Sequence, residues 1–452
     1  MKNHRRPVAL GLAALTLVGA LAGCSTGSGG IEPAKKIELK DGEKVKVTFW
    51  HAMGGNLGKA VDGLVAEYNQ SQTKVEVEAV YQGTYDEALQ KLKAAGPTGP
   101  TMIQVYEIGS RFMIDSGLVT PMQAFIAADK WENNLEPNIA AYYTFDGKLN
   151  SLPFNTSTPI VYYNKDAFKK AGLDPAKFPS TYADIHEAAK KLTVKNGAET
   201  TQYGASIAMY GWFFEQLLAT HGTYFVDNEN GRKAKAANSL ADSKEGQDIL
   251  NWMNEMVKDG SAINLGRKTA DTQAAFIAGK VAITMDSTAA LAGILAGAKF
   301  EVGTAFVPKD TKNDKAGVII GGASVWITNL KSEKEQWAAW EFSKWLSSPE
   351  VQAKWHEQTG YFPTNTKAYD LPAVKDLHAK RPQFKTAIDQ LRASKVSPVT
   401  QGAVIGVFPQ ARQIIEGAME QVITGAKGTP DALKEAAGEI TKQIESYNKT
   451  TK

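Results

Sequence analysis

Pro409-Gln410-Ala411-Arg412 opens a run, reaching to about Ile423, that reads as a helix. Proline suits the first helical turn. A cation there opposes the positive helix end by a few tenths to about 1 kcal/mol. The placement makes sense if Arg412 and the helix end face one anion together; the plain alternative is a guanidinium reaching into solvent. Gly321-Gly322 interrupts an apolar, strand-like run over residues 316–329. Glycine inside a strand fits close approach by backbone or ligand, or a bulge. Bare N–H groups at that point would suit a phosphate or carboxylate. Tyr85, Tyr106, Trp212 and Tyr361 stand near strand–helix junctions. There they can stack on polyols or cations, or fill the core. Glu107 ends the run MIQVYE, as a carboxylate where a sheet opens or as a solvated acid.

Catalytic and metal-binding signatures are sparse. The six histidines (His4, His51, His186, His221, His356, His378) show neither HxH nor HExxH spacing. No G-x-x-x-x-G-K-[ST] loop is present. The one cysteine, Cys24, lies at the end of an N-terminal apolar segment, which leaves no thiol nucleophile in the rest of the chain. The reading is therefore capture of a ligand and not catalysis, with no cofactor and no metal. Paired carboxylates of the kind glycosidases use cannot be recognised by spacing alone, so an envelope phosphodiesterase or glycosidase stays as an alternative.

The elements that must position these residues alternate. VKVTFW (45–50) and VEVEAVY (75–81) read as strands, 57–68 and 85–94 as helices, and 102–107 as a third strand. This alternation predicts βα units around a parallel sheet, whose ligands bind outside the carboxyl ends of the strands. Asp146-Gly147 reads as a hairpin turn. It leads to LPFNTSTPIVYYNKDAFKKAGLDP (152–175), in which Asn155 to Thr158 form a polar segment between two extended runs. Their side chains can bind their own backbone in place of a ladder, which suits a chain crossing between lobes. Apolar spacing of i, i+3, i+4 predicts helices over 181–192, 211–220, 244–258 and 271–279, followed by a strand over 281–285. An extended run over 300–308 and a long helix over about 333–357 follow. Gly360-Tyr361-Phe362-Pro363 is another proline-bracketed exit, and the tail is helical, closing with Thr429 to Tyr447.

At 452 residues the chain is long enough for two lobes. Its 43% hydrophobic and 22% charged content is that of a globular protein. The formal charge of +3 falls to near zero without Lys2, Arg5 and Arg6, so nothing argues for nucleic acid as a partner. Those three cations precede an apolar run, Val8 to Leu21, that ends in Leu21-Ala22-Gly23-Cys24. A basic start, a short apolar stretch and small residues before a cleavage point make an export signal too short to span a membrane. The tetrad LAGC looks like a bacterial lipobox, which makes Cys24 the lipidation site. Ser25 to Gly30 would then begin a flexible tether.

FWHAMGGNLGKAVD, TYDEAL, IQVYEIG, PFNTSTPIVYYNKDAFKKAGLDP, IIGGASVWI, WHEQTGYFPTN and FPQARQII together resemble extracellular solute-binding family 1, the binding proteins of ABC importers. The likeness is to its glycerol-phosphate binders and covers nearly all of the mature chain. It implies an α/β, two-lobed periplasmic-binding-protein fold, maltose-binding-protein-like, with three interlobe crossings and a cleft between the lobes. The expected boundaries are 1–23 for the lipoprotein signal peptide and 24–42 for the tether. Residues 43–152 and 306–360 would form the first lobe, and 153–305 and 361–452 the second.

The resemblance also implies a ligand set. In the family an arginine, a glycine amide and serine and tyrosine hydroxyls hold phosphate, while a carboxylate and a tyrosine meet the glycerol hydroxyls. The matching positions are Tyr85, Glu107, Ser157, Ser287, Gly322, Tyr361 and Arg412, with Trp212 as a pocket tryptophan. Met209 stands where the glycerol-3-phosphate binders resembled here carry a stacking tryptophan. A methionine cannot present the same flat face, which leaves room for a larger headgroup or a repacked wall. The implied ligand is sn-glycerol-3-phosphate or a glycerophosphodiester such as glycerophosphocholine, with a neutral sugar or oligosaccharide as the alternative. The implied partners are ABC permease subunits and a lipid anchor, and the implied state is a monomer, exported and held at the cell membrane or in the periplasm of a bacterium.

Overall fold

The chain is described by a computed structural model over residues 31–309 and 312–451. The expected signal peptide and Cys24 lie outside these residues. Strand formation follows side-chain alternation where one face is wet. In β2 (Val75–Tyr81), Val75 and Val77 point inward while Glu76 and Glu78 are exposed. In β1 (Val45–His51), Val47, Phe49 and His51 form the buried face. β3 (Met102–Tyr106) is buried on both faces, and its one amide, Gln104, is buried with the apolar residues around it.

β1 pairs in parallel with β2 and β3, as expected from the βα alternation. The sheet is nevertheless mixed. It runs β2-β1-β3-β13-β4, where β4 is Val119–Thr120 and β13 is Gly321–Thr328, and β13 pairs antiparallel to its neighbours. β7 (Leu152–Ser157) also pairs antiparallel with β13. Between them Asp146 (φ 51°) and Gly147 (φ 71°) turn the expected hairpin of β5 (Thr144–Phe145) and β6 (Lys148–Leu149).

The second sheet runs β12-β8-β11-β10-β9: Val302–Ala305, Pro159–Asn164, Val281–Ser287, Glu199–Ser206 and Val194–Asn196. Two such sheets make a two-lobed α/β molecule. The passage between sheets falls at Thr158, the residue between β7 and β8.

Two expectations are corrected here. Asn155, Thr156 and Ser157 are not a self-bonded loop. They are ladder residues of β7, opposite Ala323, Gly322 and Gly321, and Thr156 also bridges Phe362. Residues 153–157 thus belong to the first sheet. The Asn155 side chain serves partners across the molecule, Gln104 and Tyr85, while the backbone keeps its ladder. The register shifts between Ala323 and Ser324, opposite Pro153, which has no N–H to give. The long helix over 333–357 is two helices, Glu333–Leu346 and Pro349–Thr359. Pro349 cannot continue a helix from the preceding turn but is well suited to start one.

Candidate functional site between the two sheets

Arg412 lies in the first turns of the Phe408–Ile423 helix, which carries Pro409 at its start. It is buried, and it does not face solvent. Its Nε donates to Glu215 Oε1 at 2.8 Å and its Nη2 to Glu215 Oε2 at 2.9 Å, a two-point fork. Nη2 also donates to Glu107 Oε1 at 2.7 Å. Glu107 begins the short 3-10 turn that follows β3, so it projects from the first sheet. Glu215 and Arg412 come from helices packed together on the other side. The guanidinium therefore joins the two halves of the molecule. Burial disfavours its charge, yet Glu215 and Glu107 together raise its pKa well above the usual arginine value. The Glu215 carboxyl is raised, first by burial and then by Glu107 and Glu416, with Arg412 opposing. The cation at a helix N-terminus is thus explained by two anions.

Glu215 was not singled out by sequence. The Gly211–Thr220 helix, GWFFEQLLAT, is buried at every position, so an acid within it must be paired, and the partner becomes visible only in the fold. Trp212 stands in its first turn, and its buried Nε1 has no hydrogen-bond partner among the described residues. A Cβ on Gly321 would come within 2.3 Å of Trp212 Cζ2, so this ring closes over the bare Gly321 backbone. Gly322 has φ +89°, and a Cβ there would meet Asn155 O at 1.9 Å. Both glycines answer to close approach, as expected of that pair. Ser157 sits across the ladder from Gly321.

Tyr85 is placed by a capping box. Thr84 accepts from Glu87 N at 3.3 Å, and Glu87 Oε2 accepts from Thr84 N at 2.6 Å, which starts the helix at Tyr85. The Tyr85 ring stacks on Tyr106 at 5.3 Å, and its hydroxyl accepts from Asn155 Nδ2 at 2.8 Å. Gln104 Nε2 donates to Asn155 Oδ1 at 2.6 Å, so Asn155 is the polar hub of this wall. Sequence reasoning treated Asn155 only as part of a crossing loop. Tyr361 joins the same group: burial raises its phenol, and the hydrogen-bonding environment includes Asn155 and Tyr85, with the Glu107 charge adding. Trp355 stacks on Tyr361 at 5.8 Å, and His356 Nδ1 donates to its carbonyl at 2.6 Å.

Two of the expected positions have other contacts, Ser287 lying opposite Pro159 in the second sheet. Ser287 Oγ accepts from Ala289 N at 3.1 Å and caps the turn that follows β11. Met209 lines a small apolar cavity with Ile207, Met253, Met256 and Ile423. Neither side chain hydrogen-bonds Arg412 among the described residues. Glu107, Tyr142, Trp212, Glu215, Phe225 and Phe408 instead line a cavity of about 10 Å³, enough for one water. Arg412 packs over the Tyr210 and Phe408 rings, each at 5.7 Å. The arrangement can present donors and aromatic faces to a small polar ligand. No group of three or more histidine, cysteine or acidic side chains able to hold a metal occurs among the described residues.

A family model described as bacterial extracellular solute-binding protein matches residues 63–385. The chain belongs to the bacterial extracellular solute-binding proteins. Within this family it is 35% identical over 418 residues to the sn-glycerol-3-phosphate-binding periplasmic protein UgpB of Escherichia coli K12, covering 90% of this chain and 94% of that one. The corresponding protein of Yersinia pseudotuberculosis is 36% identical over 397 residues, covering 86% and 89%. Among solved structures, UgpB of Mycobacterium tuberculosis in complex with glycerophosphocholine matches with a TM-score of 0.75 at 22% identity, over 89% of this chain and 99% of that one. The GacH receptor of Streptomyces glaucescens, an acarbose binder, gives the same TM-score, identity and coverage. These solved structures establish the fold shared with solute-binding proteins of different ligand chemistry.

Proposed function

We propose that this solute-binding protein captures sn-glycerol-3-phosphate or a glycerophosphodiester and delivers it to the permease of an ABC importer. The observation that carries the reading is Arg412: a buried guanidinium at a helix start, held between carboxylates from the two halves of the molecule. A phosphate drawn from water needs charge-assisted, two-point partners of this kind. The unpartnered Trp212 Nε1 would be a further donor, with the Ser157 and Tyr361 hydroxyls that the family resemblance implies. Glu107 and Tyr85 supply acceptors for the glycerol hydroxyls. Similarity to the sn-glycerol-3-phosphate-binding proteins over 90% of the chain supports the same choice. Closing the lobes on the ligand is the step that signals occupancy, because contacts from both halves favour the closed form. The reading includes export through the N-terminal segment and a lipid anchor on Cys24.

A larger cavity of about 230 Å³ is lined by Arg111, Asp115, Arg232, Val404, Gly406 and Tyr447. Its walls continue in sequence from those of the small one, through Asn230 to Gly231 and Ala403 to Val404. A neutral sugar is the second reading, because both carboxylates already neutralise Arg412. Calorimetric titration with sn-glycerol-3-phosphate, glycerophosphocholine and maltose, with mass analysis of the recovered ligand, separates these readings. Heat with either phosphate, none with maltose and intact ligand is the expected result. Binding of maltose alone would favour the sugar reading, and a hydrolysed ligand would favour an enzyme.

A further inference from the structure

We propose that Glu215 is the internal anion that a ligand phosphate must displace from Arg412, and that it biases the site towards singly charged phosphodiesters over doubly charged phosphomonoesters. The proposal rests on the phosphate reading above. Arg412 has two N–H groups on Nη2 and one on Nε. Glu215 takes Nε and one Nη2 hydrogen, and Glu107 takes the other. A two-point hold on phosphate along the Nε–Nη2 edge can form only by replacing Glu215 there. A carboxylate and a phosphate present the same pair of oxygens to a guanidinium fork, so Glu215 occupies that edge as a ligand would.

Charge then decides between ligands. Glu107, Glu215 and Arg412 together carry one negative charge in excess. The displaced Glu215 stays nearby, since the whole Gly211–Thr220 helix is buried and Gly211 N is fixed by Glu416 Oε1 at 3.1 Å. A further acid, Glu416, therefore lies close to the same helix, with Arg267 at 3.7 Å from it and Arg412 also acting on its charge. Each added ligand charge is repelled by these carboxylates in a site where water screens little. A monoester dianion suffers this more than a diester monoanion, and a diester with a cationic headgroup suffers it least.

Glu215→Gln keeps the shape and removes the charge. In the full mature chain at pH 8, calorimetry should show tighter binding of sn-glycerol-3-phosphate by about tenfold or more, and of glycerophosphocholine by clearly less. Binding gained by the variant where the wild type has none also upholds the role. An unchanged or weakened affinity for sn-glycerol-3-phosphate in a folded variant would overturn it, while phosphate binding by the wild type would leave the functional reading standing. If neither chain binds any phosphate ester, both fall together. A crystal structure of the wild-type complex with glycerophosphocholine needs no variant. Phosphate oxygens on Arg412 Nε and Nη2 support the inference, and Glu215 still holding that edge contradicts it.

Discussion

Arg412 serves two carboxylates, so its removal should register in stability before any ligand is added. In Arg412→Ala, Glu107 and Glu215 lose their shared cation within the protein. Breaking a buried pair from one side costs about 3–5 kcal/mol. Urea unfolding should show a loss of that size, and a loss below about 1 kcal/mol would mean that the pairing is not maintained in solution. A second residue-scale expectation concerns Asp286, whose buried carboxyl is pushed up to about 7 by desolvation, with Gln273 and the Ser287 amide opposing. Its folded pKa is higher than its unfolded one, so its contribution is complete below about pH 4 and is lost as pH rises through 7. The span is on the order of 4 kcal/mol. His356, held down to about 3 mainly by burial, acts in the opposite sense as pH falls below 6.5. Comparing Asp286→Asn with wild type isolates the acid: thermal melts from pH 4 to 7 should show the variant gaining relative to wild type as pH rises. Parallel curves would show that Asp286 does not titrate there. Arg412 and the paired glycines stood out because each breaks a local rule of helix or strand, whereas Glu107 and Tyr85 were singled out as ligand positions only through the family resemblance. Glu215 and Asn155 were hidden because a buried acid inside an apolar helix, or an amide inside a strand, is understood only once its partner across the molecule is known.

Among the elements, β13 does the most to shape the site, since it is bordered by β3, β4 and β7 and carries Gly321-Gly322. Gly322→Ala would require a left-handed backbone with a side chain and a Cβ 1.9 Å from Asn155 O. The strain alone is of order 1–3 kcal/mol, and displacing Asn155 would also loosen its bond to Tyr85. Chemical unfolding should show a loss of at least about 2 kcal/mol together with weaker ligand binding. Wild-type stability would show that β7 relaxes freely. Helices were the most legible elements: Gly211–Thr220 and Lys244–Lys258 fall where apolar periodicity places them. The strand β7 was not, because polar side chains in a doubly buried strand carry the pattern of a loop. The break at Pro349 was missed because the apolar face continues across it, and only the proline marks the new helix.

For the whole molecule, the βα alternation foretold α/β lobes but not the antiparallel additions of β13, β7 and β4, whose pairing depends on a chain returning from far along the sequence. Besides the Arg412–Glu107 pair, the halves meet where Tyr447, on the C-terminal helix, donates to Asp115 Oδ2 at 3.0 Å beside Arg111. In the proposed reading a ligand gripped by Arg412 would add to these contacts when the lobes close, so that affinity and closure would share one guanidinium. The most direct test is calorimetric titration of glycerophosphocholine into the wild-type chain and into Arg412→Lys, which keeps the charge but loses the fork. The account predicts binding by the wild type and an affinity weaker by about tenfold or more in the variant. Equal affinity in the two proteins, both folded, would contradict it.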